Sequence, residues 1–184
     1  LFKMTLDKDG KATTSEAQAL KLKTDTKYYI RELVNPKGTY LNKKVYAVKT
    51  TKDGTSKNKA VRLSTVNKPW RTRISVHKKE TGTDKDLSGA RFTVYRWNGS
   101  KYVTATSVGN NGVITTDSKG KAATGWLYYT KNNQGKWRIE ETEAPKGHKN
   151  NHARKDIQIN KDNAKDSEEA PLEWTVDNPL TTEY

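Results

Sequence analysis

The chain of 184 residues contains no cysteine, so no disulfide can hold it together. Small secreted strand-built domains often rely on disulfides. Their absence leaves a reducing compartment, a lineage that avoids cysteine, or another covalent staple. Apolar side chains are also scarce, at 32% of residues, which limits any core to a thin layer built from strands. No run approaches the roughly eighteen apolar residues that a membrane-spanning helix needs. No signal peptide or anchor tail is visible either. Because Leu1 falls in the middle of a repeating pattern, these absences describe this segment rather than a parent protein. The histidines are His77, His148 and His152. The last two sit in a loop of Asn and Lys without matching carboxylates, which argues against a metal site, and no cofactor is implied.

Acidic residues are in deficit, and the formal net charge is +14. The excess falls on residues 1–72, which carry 17 basic and 6 acidic side chains, against 18 and 15 in residues 73–184. These are single lysines on strand and turn positions, without arginine clusters or stacking platforms. They make a solvated basic surface and argue against a nucleic-acid reader. Aromatic and β-branched residues, separated by Thr, Gly, Asn and Asp, favour strands and turns over helices.

One stretch organises the chain. Trp137-Arg138-Ile139-Glu140-Glu141-Thr142-Glu143-Ala144-Pro145-Lys146-Gly147 alternates as a half-buried strand and stops at Pro145 and Gly147. Its phase places Glu141 in line with Trp137 and Ile139, where an ionised acid is costly unless it is paired or serves a chemical purpose. The stretch recurs. An offset of 109 carries Tyr28 to Trp137, Ile30 to Ile139, Glu32 to Glu141, Pro36 to Pro145 and Gly38 to Gly147. Asp9-Gly10-Lys11-Ala12 likewise echoes Lys119-Gly120-Lys121-Ala122. An internal repeat of this spacing predicts two domains of sandwich size. Residues 1–72 are expected to form a first copy that lacks its opening strands, and residues 73–184 a complete second copy. The first copy is expected to leave a sheet edge and an apolar face uncovered, as a piece of a longer chain or as the acceptor of a neighbour's strand.

The alternation predicts strands over Phe2 to Leu6, Ala19 to Lys23, Tyr28 to Leu33, Tyr40 to Thr50 and Val61 to Asn67, with turns at Asp7-Lys8-Asp9-Gly10 and Lys52-Asp53-Gly54. In the second copy strands are expected over Arg73 to Lys78, Arg91 to Trp97, Lys101 to Val103, Val113 to Thr116, Trp126 to Tyr129, Asp156 to Ile159 and Leu172 to Asn178. Asn98-Gly99 is a two-residue hairpin signal, which also accounts for the glycosylation-like Asn98-Gly99-Ser100.

Three polar side chains fall in phase with apolar neighbours. Lys78 shares a face with Ile74 and Val76, Glu141 with Trp137 and Ile139, and Asn178 with Leu172, Trp174 and Val176. Each could be a satisfied structural polar, or the phase could slip by one residue, which would bring in Lys79 and Asp177 instead. Together they specify a reaction. A lysine in an apolar pocket loses its proton readily and becomes a nucleophile. A desolvated carboxyl favours its neutral form, so it can hydrogen-bond the carboxamide carbonyl and shuttle protons. Attack on the carboxamide then expels ammonia and leaves a Lys–Asn isopeptide bond.

These residues, with the Thr81-Gly82 turn, Leu87-Ser88-Gly89-Ala90-Arg91-Phe92, the Glu141-to-Gly147 motif and the terminal Asn178-Pro179, resemble the Cna-B-type or SpaA-type isopeptide-forming domains of Gram-positive surface proteins and pilins. The resemblance implies an all-β fold of tandem, Ig-like β-sandwiches with prealbumin-like topology. It assigns the donor to Lys78, the catalytic acid to Glu141 and the acceptor to Asn178. In the first copy Glu32 and Asn67 match, with the partner lysine upstream of the chain start. The family usually has an aromatic after the motif glycine, where this chain has His148, and the loop between Ile159 and Leu172 is long and charged. The implied role is a stalk or spacer module on the cell-wall-attached outer surface of a Gram-positive bacterium. Its partners would be neighbouring domains of the same surface protein or pilus, with no membrane contact in this segment. Such a module crosslinks itself once and turns over no substrate. The alternative is a ligand-binding adhesin domain that uses Trp97, Tyr102 and Tyr128 for a glycan or host matrix. A carboxylate hydrolase built on Glu140, Glu141 and Glu143 is disfavoured, because adjacent strand residues face opposite sides.

Overall fold

The computed structural model describes residues 2–51, 61–165 and 171–181. The chain divides into two compact units, one of Leu1–Asn35 with Leu41–Asn67 and one of Pro36–Tyr40 with Lys68–Tyr184.

The first unit contains a single-turn helix, α1 (Glu16–Ala19), and an antiparallel pair, β1 (Lys27–Arg31) and β2 (Val45–Lys49). Several expectations need correction here. Phe2 to Leu6 forms no strand, and Ala19 to Lys23 is the end of α1 followed by a turn. A capping box decides that region, since Ser15 Oγ accepts from Gln18 N while the Gln18 side chain accepts from Ser15 N. Val61 to Asn67 alternates in sequence but joins no strand ladder, and residues 61–66 are all exposed. Alternation makes a strand only where a neighbour accepts its backbone. The Lys52-Asp53-Gly54 turn lies outside the described residues. Among the described residues of this unit only Thr50 is buried.

The second unit holds β3 (Arg71–Thr72), β4 (Ile74–Glu80), β5 (Arg91–Trp97), β6 (Tyr102–Thr104), β7 (Val113–Thr115), β8 (Lys121–Ala123), β9 (Leu127–Tyr128), β10 (Lys136–Glu143), β11 (Arg154–Gln158) and β12 (Leu172–Asn178). One sheet runs β12-β4-β8, another β11-β10-β5-β6 with β7 also on β5, and β3 pairs with β9. Between the two larger sheets lies a core to which Ile74, Val76 and Val176 contribute from one side, and Phe92, Val94, Trp137, Ile139 and Ile157 from the other. The chain is thus almost entirely β. The hairpin between β5 and β6 forms, but its two-residue loop is Gly99-Ser100: Asn98 N donates to Lys101 O at 3.0 Å, and φ is positive at Gly99 and not at Asn98, so Asn98 flanks the loop instead of opening it. The short strands β3 and β8 carry no readable alternation, and their neighbours in the sheets define them.

Two pairs of turns about 110 residues apart share hydrogen-bond geometry. Asp7 Oδ1 accepts from Asp9 N and Lys11 N, and Asp117 Oδ1 accepts from Lys119 N and Lys121 N, all at 2.9 Å. The motif turns agree as well, with Thr39 N donating to Pro36 O at 3.2 Å and His148 N to Pro145 O at 3.0 Å.

Candidate functional site

β4 and β12, distant in sequence, lie side by side and parallel, with Val176 opposite Lys78 and Asn178 opposite Glu80. A strand has a side-chain period of two, so Lys78 and Asn178 point to the same face, one step apart along the ladder. Glu141 comes from the facing sheet. It sits opposite Phe92 on β5, just before the register of the β10–β5 pair shifts between Glu141 and Glu143. Lys78, Glu141 and Asn178 all have no exposed surface. Lys78 Nζ lies 3.6 Å from Glu141 Oε1, and Asn178 Nδ2 donates to Glu141 Oε2 at 3.0 Å. The carboxyl therefore bridges the amine and the carboxamide. One expectation is corrected: the amide nitrogen, not its carbonyl, faces the acid. A carboxylate oxygen accepts, and the amide offers it an N–H.

The electrostatics favour a reactive amine. Burial disfavours the ammonium and pulls the Lys78 pKa below its ordinary 10.5, with Glu141 opposing that shift. Lys78 Nζ, Glu141 Oε1 and Asn178 Oδ1 are buried without hydrogen-bond partners. Orphaned polar atoms of this kind are costly, and a neutral amide formed between Lys78 and Asn178 would remove a buried amine from the cluster.

The backbone holds the lysine in place. Lys78 N donates to Gly120 O at 2.7 Å, and Leu87 N donates to Lys78 O at 2.9 Å. Gly120 has φ +66°, and a Cβ there would lie 2.5 Å from Lys78 O, so only glycine allows β4 to approach this turn. At the other end Thr81 N donates to Asn178 O at 2.9 Å. The neighbours one residue away turn outward: Lys79 Nζ lies 3.5 Å from Asp84 Oδ1, and Asp177 Oδ2 accepts from Thr81 Oγ1. Glu143 pairs with Arg91 on the surface.

Two residues near the cluster were not singled out in the sequence as parts of the site. Glu80 follows Lys78 on the inward face of β4, and its Oε2 lies 2.9 Å from His148 Nε2. The parity that selects Lys78 also selects Glu80, and the unusual residue after the motif glycine is the one that meets it. In the first unit Glu32 Oε2 accepts from Asn67 Nδ2 at 2.7 Å and from Asn42 N at 2.6 Å. The acid–amide pair is thus formed there too, on half-buried residues.

The surface aromatics are engaged by their own chain. Trp97 and Tyr102 meet edge to face at 5.3 Å, with Lys136 Nζ over Trp97 at 5.1 Å and the Arg138 guanidinium over Tyr102 at 4.1 Å. Tyr128 is 40% exposed on β9. His77 pairs with Asp86 at 2.7 Å. Among the described residues no group of three His, Cys, Asp or Glu side chains could hold a metal ion. No helix among them is long and apolar enough to cross a membrane.

Comparison with curated proteins gives no match. Among solved structures, the Bacillus anthracis TIE protein is similar with a TM-score of 0.62 and 22% identity over 84% of this chain and 25% of that one. A streptococcal ancillary pilin gives 0.46 and 19% over 85% and 42%. The major pilin SpaD from Corynebacterium diphtheriae gives 0.47 and 21% over 60% and 32%. The chain therefore spans between a quarter and about two fifths of the length of these proteins. Residues 72–170, more than half of the chain, match the SpaA family of prealbumin-like fold domains, and the chain belongs to that family.

Proposed function

We propose that this chain is a structural stalk or spacer segment of a cell-wall-attached surface protein or pilus of a Gram-positive bacterium, and that it hardens itself with a Lys78–Asn178 isopeptide bond. The observation that carries the reading is the Glu141 carboxyl, with one oxygen 3.6 Å from Lys78 Nζ and the other 3.0 Å from Asn178 Nδ2. In that arrangement the neutral amine attacks Asn178 Cγ, the new N–C bond forms, and the Cγ–Nδ2 bond breaks. Glu141 accepts the proton lost by the amine and delivers it to the departing nitrogen, which leaves as ammonia. The chemistry occurs once per chain and serves no external substrate. Membership in the SpaA family of prealbumin-like fold domains supports the setting.

The bond would join the parallel neighbours β4 and β12 across about 100 residues of chain. A closed loop of that size restricts the unfolded ensemble by roughly 4–5 kcal/mol if it behaves as a disulfide does. Tension entering along β4 would leave along β12 without unzipping the sheets, and a cysteine-free chain acquires a covalent staple. The matched turns and the Glu32–Asn67 pair support a tandem arrangement in which the first unit is a second copy of the same design. Partners are then neighbouring domains of the same surface protein or pilus. Intact mass spectrometry tests the reading: the chain should be lighter than its sequence by one ammonia, and a peptide map should place the link between Lys78 and Asn178. A full-mass chain would overturn it.

A further inference from the structure

The three residues of the proposed crosslink come from three segments, and the same three segments meet again one layer outward. The turn that follows β10 is tied to the chain after β12 by backbone bonds. His148 bridges Leu180, Lys149 N donates to Pro179 O at 2.9 Å, and Thr181 N donates to Gly147 O at 2.9 Å. The side-chain tie from that turn to β4 is His148 Nε2 to Glu80 Oε2 at 2.9 Å, with the two side chains only 6% and 10% exposed. Glu80 is the register partner of Asn178 and lies on the same face as Lys78. The pair therefore lies next to the chamber, joining the segment that carries the acid to the strand that carries the amine.

We infer that His148 is a positioning residue for isopeptide formation: clasped to Glu80, it locks the Pro145–Lys149 turn against the ends of β4 and β12 and holds Glu141 on Lys78 and Asn178. This rests on the crosslinking reading above. Both ring nitrogens face acceptors, because Nδ1 lies 3.1 Å from Lys146 O while Nε2 faces Glu80. That geometry suits a ring carrying both protons; a neutral ring would leave one nitrogen's lone pair against an oxygen. The hydrogen bond from His148 is the main reason the Glu80 carboxyl is held below its ordinary range. Among the described residues the other charged group on Glu80 is Lys85, whose Nζ lies 3.4 Å from Oε2, and Thr83 Oγ1 lies 3.4 Å from Oε1. The chain after β12 offers Pro179, Leu180 and Thr181 here, none of them charged, and inside lie Lys78, Glu141 and Asn178.

The clasp is a hydrogen bond between a carboxylate and an imidazole, so its effect on crosslinking should depend on pH in a way that simple packing would not. The full chain, made by cell-free synthesis, is incubated across about pH 5.5 to 8, and its intact mass is followed with time. The wild type is compared with His148→Phe, which keeps a flat ring, and with the near-isosteric Glu80→Gln. The expected result is that both variants crosslink more slowly by about tenfold at the acidic end, the scale of a charge-assisted hydrogen bond, and that the deficit shrinks towards the alkaline end. Variants that match the wild type throughout, or that lag by a factor independent of pH, overturn the inference. A wild type that never loses ammonia overturns the crosslink itself and this inference with it. Should His148→Phe not fold, Glu80→Gln alone decides.

Discussion

Replacing Glu141 and replacing Asn178 should have unequal consequences, because each leaves a different group stranded. Asn178→Ala removes the acceptor, so no bond forms and the roughly 4–5 kcal/mol of loop restriction is lost. Glu141 Oε2 loses the Asn178 Nδ2 donor, but Lys78 and Glu141 remain opposite each other at 3.6 Å, so the buried amine keeps its carboxyl. Glu141→Ala also prevents the bond, but it leaves the Lys78 amine wholly buried with its carboxylate gone. Breaking a buried pair in this way costs about 3–5 kcal/mol more. At neutral pH the order of stability should be wild type, then Asn178→Ala, then Glu141→Ala. The second gap should also depend on pH. Burial holds the Lys78 pKa below its unfolded value of 10.5, so the unfolded chain binds more protons and stability rises with pH through the interval between the two values. Loss of Glu141 removes a group that raises the folded value and widens that interval, so Glu141→Ala should recover part of its deficit as pH approaches 10.5. Intact mass establishes which proteins are crosslinked, and guanidinium titrations followed by tryptophan fluorescence give the stabilities. Loss of ammonia in Glu141→Ala, or equal stability of the two variants at every pH, would refute the reasoning.

Gly120→Ala should destabilise the fold by more than about 1 kcal/mol, since it places a side chain at positive φ, and the contact with Lys78 O should also slow crosslinking; thermal melts and intact mass read the two effects. Asn133 is fully buried, its Oδ1 accepting from Thr130 N and Gly135 N while its Nδ2 donates to Tyr128 O. Asn133→Ala should therefore cost about 2–3 kcal/mol in a denaturant titration, and a loss below experimental error would contradict that role. The folded-state pKa of Glu80 lies below its ordinary 4.5. Its contribution to stability is then present above that value and lost as pH falls through the lower folded value. In Glu80→Gln this part of the acid destabilisation should be missing from titrations run at decreasing pH.

Local pattern determined much of this protein. The two-residue period of the second unit sorts Ile74, Val76, Ile139 and Val176 to the inside, and the same parity carries Lys78, Glu141 and Asn178 with them into full burial. The hairpin after β5 is legible because Gly99 supplies the positive φ its loop needs, though the loop itself is Gly99-Ser100. The sequence repeat is legible because Pro36 and Gly38 recur as Pro145 and Gly147. Tertiary structure decided what depends on neighbours distant in the chain. Parity places Lys78 and Asn178 on inward faces, but only the parallel docking of β12 on β4 makes those faces adjacent. Parity also admits Glu80, yet its partner lies 68 positions away at His148, and no local pattern pairs them. Val61 to Asn67 has the alternation of a strand and forms none among the described residues, whereas Lys121 to Ala123 has no such pattern and forms β8 because Ser75 to His77 lies beside it. A strand exists only when another backbone satisfies its hydrogen bonds, and that partner is chosen by the fold of the whole unit rather than by the segment itself.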